Sequence, residues 1–225
     1  MNYLAITAQQ MPLILERLGK AMITSAEIFM LTLLFSLPLG LIVYFGKVSR
    51  FAPLRWITNL YISVMRGTPL MLQLMVVFYG PYFIFHAKIT ESYRFPAVII
   101  AFVINYAAYF AEIYRGGIES IEKGQYEAAD ILGFSKAQTF MRIILPQMIK
   151  RVMPSVTNEA ITLVKDTSLA FTISILEMFT VAKEIANKNT SMLPYVIAAV
   201  FYYIFNYVVA FIMQRIEKKL SYYKV

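Results

Sequence analysis

The segment EAADILGFSKAQTFMRIILP, residues 127–146, is rich in charged and small residues, in a chain whose other long segments are strongly apolar. Its order of residues predicts two short helices joined by a corner. Good helix formers occupy residues 119–132, and Gly133 after them supplies a left-handed helix stop. Ser135 then caps a second helix, which Pro146 ends. A solvated loop is the alternative, but such a loop has no need of two capped helices and a glycine corner.

The composition places this segment in an integral membrane protein. Of the 225 residues, 59% are hydrophobic and 15% are aromatic, which is too apolar for a soluble domain. The net charge is +8, but the cations stand in short stretches between apolar runs and not on one soluble face, so nucleic acid is not expected as a partner. The chain has no Cys and one His, which excludes disulfides and argues against a metal site.

Five apolar runs are long enough to cross a bilayer as helices, and they predict an all-α protein with five transmembrane helices. A single transmembrane domain then occupies residues 21–215. The first run carries Glu27 and is followed by no cleavage site, so it is interpreted as a permanent span. The predicted spans are residues 21–46, 56–84, 95–115, 153–181 and 193–213; residues 1–20 are an amphipathic lead-in, 116–152 a connection and 216–225 a tail.

The distribution of Lys and Arg predicts the orientation of these spans. Thirteen of these residues fall on the side that holds the 116–152 connection and the C-terminus, and six fall on the other side. Because cations are enriched on the cytoplasmic side, we expect the C-terminus inside and the N-terminus outside. The connection that contains the quoted segment is then cytoplasmic.

Polar residues within the predicted spans are the candidates for substrate binding, because such groups are costly in lipid and normally face a cavity or a partner. Two polar helix faces, one on the third span and one on the fourth, would together complement a zwitterionic amino acid. The candidates are Arg66, Asn105, Tyr109, Glu112, Asn158, Glu159 and Thr162.

Structural roles remain open for several polar residues. Glu112 and Arg115 stand one turn apart and would form an ion pair, while Lys165 and Asp166 would pair with other spans. Two groups are interpreted as gate or packing elements: Gly67, Thr68 and Pro69, which interrupt the second span, and Lys165, Asp166, Thr167 and Ser168.

Several motifs together resemble a known family. The residues Glu127-Ala128-Ala129, Gly133 and Ile144-Leu145-Pro146 are similar to the coupling segment of membrane subunits in bacterial ABC importers. The motifs MRGTPLMLQL (65–74), AEIYRGGIESIEKGQYEAA (111–129) and LVKDTSLAF (163–171) resemble the branch that imports polar amino acids, the histidine and glutamine permease type.

The resemblance implies a type I ABC importer permease-like fold in the bacterial cytoplasmic membrane, with no enzymatic activity of its own. It implies a cytoplasmic ABC ATPase dimer, which binds ATP and Mg, a second permease subunit, identical or homologous, and an extracytoplasmic amino acid-binding protein. The residues that it implies for coupling to the ATPase are Glu127, Ala128, Ala129, Gly133, Leu145 and Pro146.

The residues agree that ATP chemistry lies elsewhere. The segment nearest to a phosphate-binding loop, GLIVYFGKV at residues 40–48, has five residues between its glycines and Val48 in place of Ser or Thr. One alternative function is an ATP-independent secondary transporter or channel, which would be driven by an ion gradient. A lipid-modifying membrane enzyme is another, but the sequence offers no metal-ligand cluster and no nucleophile–base set.

Overall fold

A computed structural model describes residues 10–220 of the chain, and the regular elements in this range are all helices. The all-α class predicted from the sequence is therefore confirmed. The α-helices are α1 Met11–Lys47, α2 Ala52–Gly67, α3 Leu70–Phe85, α4 Arg94–Glu119, α5 Lys123–Ile131, α6 Lys136–Thr139, α7 Leu145–Asp166, α8 Met178–Asn189 and α9 Leu193–Leu220.

Helix α4 lies at the centre of the bundle and packs against α1, α2, α3 and α7. Its buried faces carry many alanines, which let neighbouring backbones approach closely. One close approach is to Gly40 of α1. A Cβ atom on Gly40 would lie 2.7 Å from the Cβ of Phe110 and 3.1 Å from the carbonyl oxygen of Ala107.

A second, smaller core forms where the first turns of α1 meet α8 and α9. Ile14 and Leu18 of α1 are buried there against Met178 and Ile185 of α8 and Ala198 of α9. The predicted boundary at residue 20 is therefore not a helix boundary. Because these side chains have a protein surface to pack on, α1 is continuous through residue 20. The first nine residues of the predicted lead-in lie outside the described residues.

The apolar runs correspond to the helices with two differences. Among residues 10–220, three helical segments are long and apolar enough to span a membrane, namely Met11–Lys47, Glu91–Glu119 and Leu193–Leu220. The run 56–84 is instead two helices, α2 and α3, which meet at an angle of 113°. Proline cannot donate a backbone hydrogen bond, so Pro69 interrupts the series of helical hydrogen bonds at this point. Counted as one broken span, this pair is the fourth candidate.

The run 153–181 is not one continuous helix, and this part of the prediction is wrong. Helix α7 ends at Asp166 and tightens into a 3₁₀-helix, Thr167–Ile173, which Ser174 ends in the left-handed region at φ 59°. The hydroxyls of Thr167 and Ser168 donate to the carbonyls three residues earlier, at 2.8 and 2.7 Å, and favour the tighter winding. The count of five spans stays a prediction.

The 116–152 connection contains the predicted corner and cap. Gly133 has φ 73° after α5, and a capping box opens α6, with the Ser135 amide donating to Gln138 Oε1 at 2.8 Å and the Gln138 amide to Ser135 Oγ at 3.3 Å. The first helix, however, begins at Lys123 and not at residue 119, because Glu122 is extended.

Pro146 does not end the second helix, contrary to the prediction. A π-helical turn, Phe140–Ile144, follows α6 and leads directly into α7. The Leu145 amide donates to the Phe140 carbonyl, and Pro146 comes next, in the first turn of α7, where a missing N–H costs little. At the other end of the chain, α9 carries the predicted tail as far as Leu220, and residues 221–225 lie outside the described residues.

Candidate functional site

A polar cavity of about 480 Å³ lies between α4 and α7, beside the end of α2. Successive turns of α4 contribute side chains to it, and α7 contributes residues at a spacing of four, which places them on one helical face. The lining residues are Arg66, Tyr109, Glu112, Ile113, Arg115, Gly116, Gly117, Ser120, Arg151, Val152, Ser155 and Glu159.

Glu112 is surrounded by cations and is largely withdrawn from solvent. Its carboxylate pairs with Lys47, accepts from Arg115 Nε at 3.0 Å and lies 3.7 Å from Arg66 Nη1. The ion pair with Arg115 that the spacing predicts is therefore present. Lys47 comes from α1, so the carboxylate joins three helices. Its charge is fully compensated by these neighbours, as a part-buried charge requires.

Arg66 forms the wall of the cavity at the end of α2. Its guanidinium carbon lies 5.4 Å from the centre of the Tyr109 ring, within the range of a cation–π contact. Together with the ion pair to Glu112, this contact holds the guanidinium at the cavity and away from lipid.

Glu159 is half-buried on the α7 side of the same cavity. Within residues 10–220 its carboxylate makes no hydrogen bond and no ion pair. Arg151, two turns earlier on the same face, donates to the backbone carbonyl of Ser120. The cavity therefore presents one uncommitted carboxylate together with the guanidinium groups of Arg66, Arg115 and Arg151.

Asn105 does not line this cavity, although the sequence groups it with Tyr109 and Glu112. It is 4% exposed, and its amide donates to the Met65 carbonyl at 3.1 Å and to Gln73 Oε1 at 2.9 Å. Gln73 in turn donates to Met65 and Thr68. Asn105 thus satisfies backbone groups that the bend between α2 and α3 leaves free, as apolar surroundings demand.

The other predicted polar residues have different surroundings. Asn158 and Thr162 are exposed and do not line the cavity. Asp166 accepts a hydrogen bond from the Tyr106 hydroxyl at 2.7 Å, which fixes the end of α7 against α4. Lys165 is exposed, and so are Gly67, Thr68 and Pro69 at the bend. A gating role for these groups stays a prediction.

The predicted coupling residues lie on α5, at the turn after it and in the first turn of α7. Ala129 is fully buried and packs α5 onto the bundle, whereas Glu127, Ala128 and Gly133 are exposed. Pro146 is exposed and Leu145 is partly buried. Two strongly exposed apolar side chains lie beside these residues and were not predicted, namely Ile131 at 87% and Leu132 at 73%.

Further residues of the site also escaped prediction. Arg151 and Ser155 precede Glu159 at intervals of four, so the helical spacing was a usable signal once α7 is extended before residue 153. Lys47 and Gln73 carried no such signal, because their partners Glu112 and Asn105 are distant in the sequence.

Three of the described helical segments are long and apolar enough for a membrane protein, and the helices pack around a charged cavity. The family described as the binding-protein-dependent transport system inner membrane component matches residues 36–222, and the chain belongs to this family. This match, together with the relatives and the solved structure described next, confirms the resemblance to permease subunits of amino acid ABC importers.

Two relatives from Bacillus subtilis (strain 168) match nearly the whole chain. The L-cystine transport system permease protein TcyB is 38% identical over 195 residues, which cover 86% of this chain and 82% of the relative. The arginine transport system permease protein ArtQ is 36% identical over 216 residues, 96% of this chain and 95% of the relative.

Solved structures of transporters have the same fold. An amino acid ABC transporter crystallised with histidines superposes with a TM-score of 0.86 at 28% identity, covering 96% of this chain and 100% of that one. The inward-facing MetNI methionine ABC transporter gives a TM-score of 0.73 at 16% identity, over 96% of this chain and 100% of that one, and this similarity concerns the fold alone.

Proposed function

We propose that this chain is the transmembrane subunit of an ATP-driven importer of polar amino acids and that it couples to a separate ATPase. The names of its relatives, which transport L-cystine and arginine, support an amino acid as the substrate. ATP and Mg are bound by a cytoplasmic ATPase dimer. A second permease subunit, identical or homologous, completes the pathway, and an extracytoplasmic binding protein delivers the substrate.

The observation that carries the proposal is the Glu159 carboxylate, which has no hydrogen bond or ion pair within residues 10–220 and shares its cavity with three guanidinium groups. An amino acid has an ammonium group for the carboxylate and a carboxylate for a guanidinium, and such charge-assisted hydrogen bonds are strong in a sheltered site. Glu112 is already compensated by Lys47 and Arg115, so in this proposal it orients the cations and does not bind the ammonium.

The substrate-contacting set therefore consists of Arg66, Tyr109 and Glu159, with Glu112 behind them. Asn158 and Thr162 are exposed and do not line the cavity, so this proposal leaves them out of the set. The hydrogen bonds of Asn105 to the bend give it a supporting role for Arg66.

Coupling is proposed to run through the surface around α5. The exposed Ile131 and Leu132, beside the Gly133 corner, suit insertion into an apolar groove of the ATPase. Close packing at Gly117 connects this region with the cavity. Helices α4 and α7 are so near each other there that a Cβ atom on Gly117 would collide with Val152. Movement of the coupling surface would then shift α7, and with it Glu159.

Reconstitution into vesicles tests this function. The chain is assembled with its ATPase, its partner permease and its binding protein, and uptake of radiolabelled arginine, cystine and glutamine is measured with ATP inside the vesicles. We expect uptake only with ATP and with all subunits. Uptake that an ion gradient drives through the chain alone would instead establish a secondary transporter or channel.

A further inference from the structure

A second cavity, of about 640 Å³, lies between the C-terminal half of α1 and the N-terminal half of α2. We call it the α1–α2 groove. Its volume falls within the range of about 300–1,000 Å³ that is usual for sites of small ligands. The lining residues are Leu39, Ile42, Val43, Phe45, Gly46, Leu54, Ile57, Thr58, Tyr61 and Ile104.

The groove offers a ligand no free polar group along its length. The Thr58 hydroxyl donates to the Leu54 carbonyl at 2.8 Å, and the Tyr61 hydroxyl donates to the Ile104 carbonyl. The remaining lining side chains are apolar. A hydrocarbon chain is therefore the matching ligand, and a polar solute such as an amino acid is not.

One end of the groove is strongly basic. The short turn between α1 and α2 contains Arg50, and the first turn of α2 contains Arg55, next to the lining residue Leu54. Within residues 10–220 the side chains of Arg50 and Arg55 make no hydrogen bond and no ion pair. The nearby Lys47 differs, because it is paired with Glu112. The first turn of α2 holds no acidic residue.

Exposed aromatic side chains mark the same end. Phe51 is 66% exposed and Trp56 is 67% exposed. Aromatic residues beside cations are typical of the level at which lipid headgroups meet the hydrocarbon core. Basic groups at this level attract anionic lipids, each contributing about 1 kcal/mol. The cations, the aromatic rings and the apolar groove thus follow one another in the same order as the headgroup, the interface and the acyl chain of a phospholipid.

We propose that the α1–α2 groove binds an anionic phospholipid, with one acyl chain in the groove and its phosphate at Arg50 and Arg55. Charge decides against a symmetric contact of two copies through this groove, because the same region of a second copy would bring further cations to Arg50 and Arg55. This site is separate from the charged cavity between α4 and α7, and the proposal does not depend on which solute is transported.

The only tryptophan of the sequence allows a direct test, because Trp56 lies between the lining residues Leu54 and Ile57. The full chain is reconstituted in phosphatidylcholine vesicles that contain a minor fraction of a dibrominated lipid, either phosphatidylglycerol or phosphatidylcholine. Bromine quenches tryptophan fluorescence at short range. We expect dibrominated phosphatidylglycerol to quench Trp56 well beyond its share of the lipid, and well beyond dibrominated phosphatidylcholine.

Variants show whether the groove and its two cations cause this preference. Arg50→Gln and Arg55→Gln should each lower the preference for phosphatidylglycerol about fivefold, whereas Lys88→Gln, an exposed cation distant in sequence, should leave it unchanged. Val43→Phe fills the groove and keeps both arginines, and should also lower the preference.

Equal quenching by both lipids would overturn the proposal, and so would a preference that survives Arg50→Gln and Arg55→Gln. Trp56 that neither lipid quenches would also overturn it and would indicate a protein partner on the groove.

Discussion

Glu112 and Glu159 are two carboxylates that line one cavity, and their neighbours distinguish them. Glu112 has three cations from α1, α2 and α4 within ion-pair distance, so its charge is used inside the protein. Glu159 has none among the described residues. At the level of single residues, the lack of an ion-pair partner within residues 10–220 makes Glu159 the better candidate for contact with a ligand.

The first prediction concerns Glu159. Glu159→Gln keeps the shape of the side chain and removes its charge, and a hydrogen bond to a charged group contributes about 1.5–3 kcal/mol. We expect the affinity of the reconstituted importer for its amino acid, measured by concentration-dependent uptake, to fall roughly tenfold or more. Asn158→Ala, a change at the neighbouring exposed position, is the control and should have little effect. Equal affinities in both variants would place the binding site elsewhere.

At the level of helices, close contact between α1 and α4 depends on a residue without a side chain. Gly40 meets Phe110 and the backbone of Ala107, which cannot move aside as a flexible side chain would. Gly19 lies in the same helix, and a Cβ atom added there would meet no neighbouring atom within 4 Å. A comparison of substitutions at Gly40 and Gly19 therefore separates the effect of packing on stability from the effect of helix propensity.

The second prediction uses this pair. Gly40→Ala should lower the free energy of unfolding by about 1–3 kcal/mol, because the added methyl overfills a tight contact. Gly19→Ala should leave stability unchanged or raise it by about 0.5–1 kcal/mol, since alanine is the better helix former. Denaturant titration of the detergent-solubilised chain measures both. A Gly40→Ala variant as stable as Gly19→Ala would mean that α1 and α4 do not touch at this point.

A third prediction concerns the corner between α5 and α6. Gly133 has φ 73°, and Gly124 lies inside α5 with ordinary helical dihedrals; both have open space around them. Gly133→Ala should cost about 1 kcal/mol or more locally, whereas Gly124→Ala should favour the helix. Stimulated ATP hydrolysis by the assembled importer and recovery of the ATPase on pull-down should both fall in Gly133→Ala only. Full activity in Gly133→Ala would remove this surface from the coupling path.

At the level of the whole molecule, the fourth prediction is the orientation in the membrane. The thirteen-to-six distribution of Lys and Arg predicts a cytoplasmic C-terminus. Three predicted spans separate the C-terminus from Glu91, so the loop at Glu91 should lie outside. Reporter fusions at Val225 and at Glu91 should therefore give opposite sides. The same side for both would exclude the five-span arrangement, because that arrangement puts three crossings between the two positions.

The sequence by itself determined the helical class, the family, the glycine corner at Gly133 and the cap at Ser135. These features depend on local composition or on residues a few positions apart, so they can be inferred from the sequence alone. Only the tertiary structure decided what the polar residues contact. Lys47 reaches Glu112 from another helix, and Asn105 turns to the bend at Met65, away from the cavity. Such partners are set by how helices pack, because a buried polar group takes whichever complementary atom the packing brings near it.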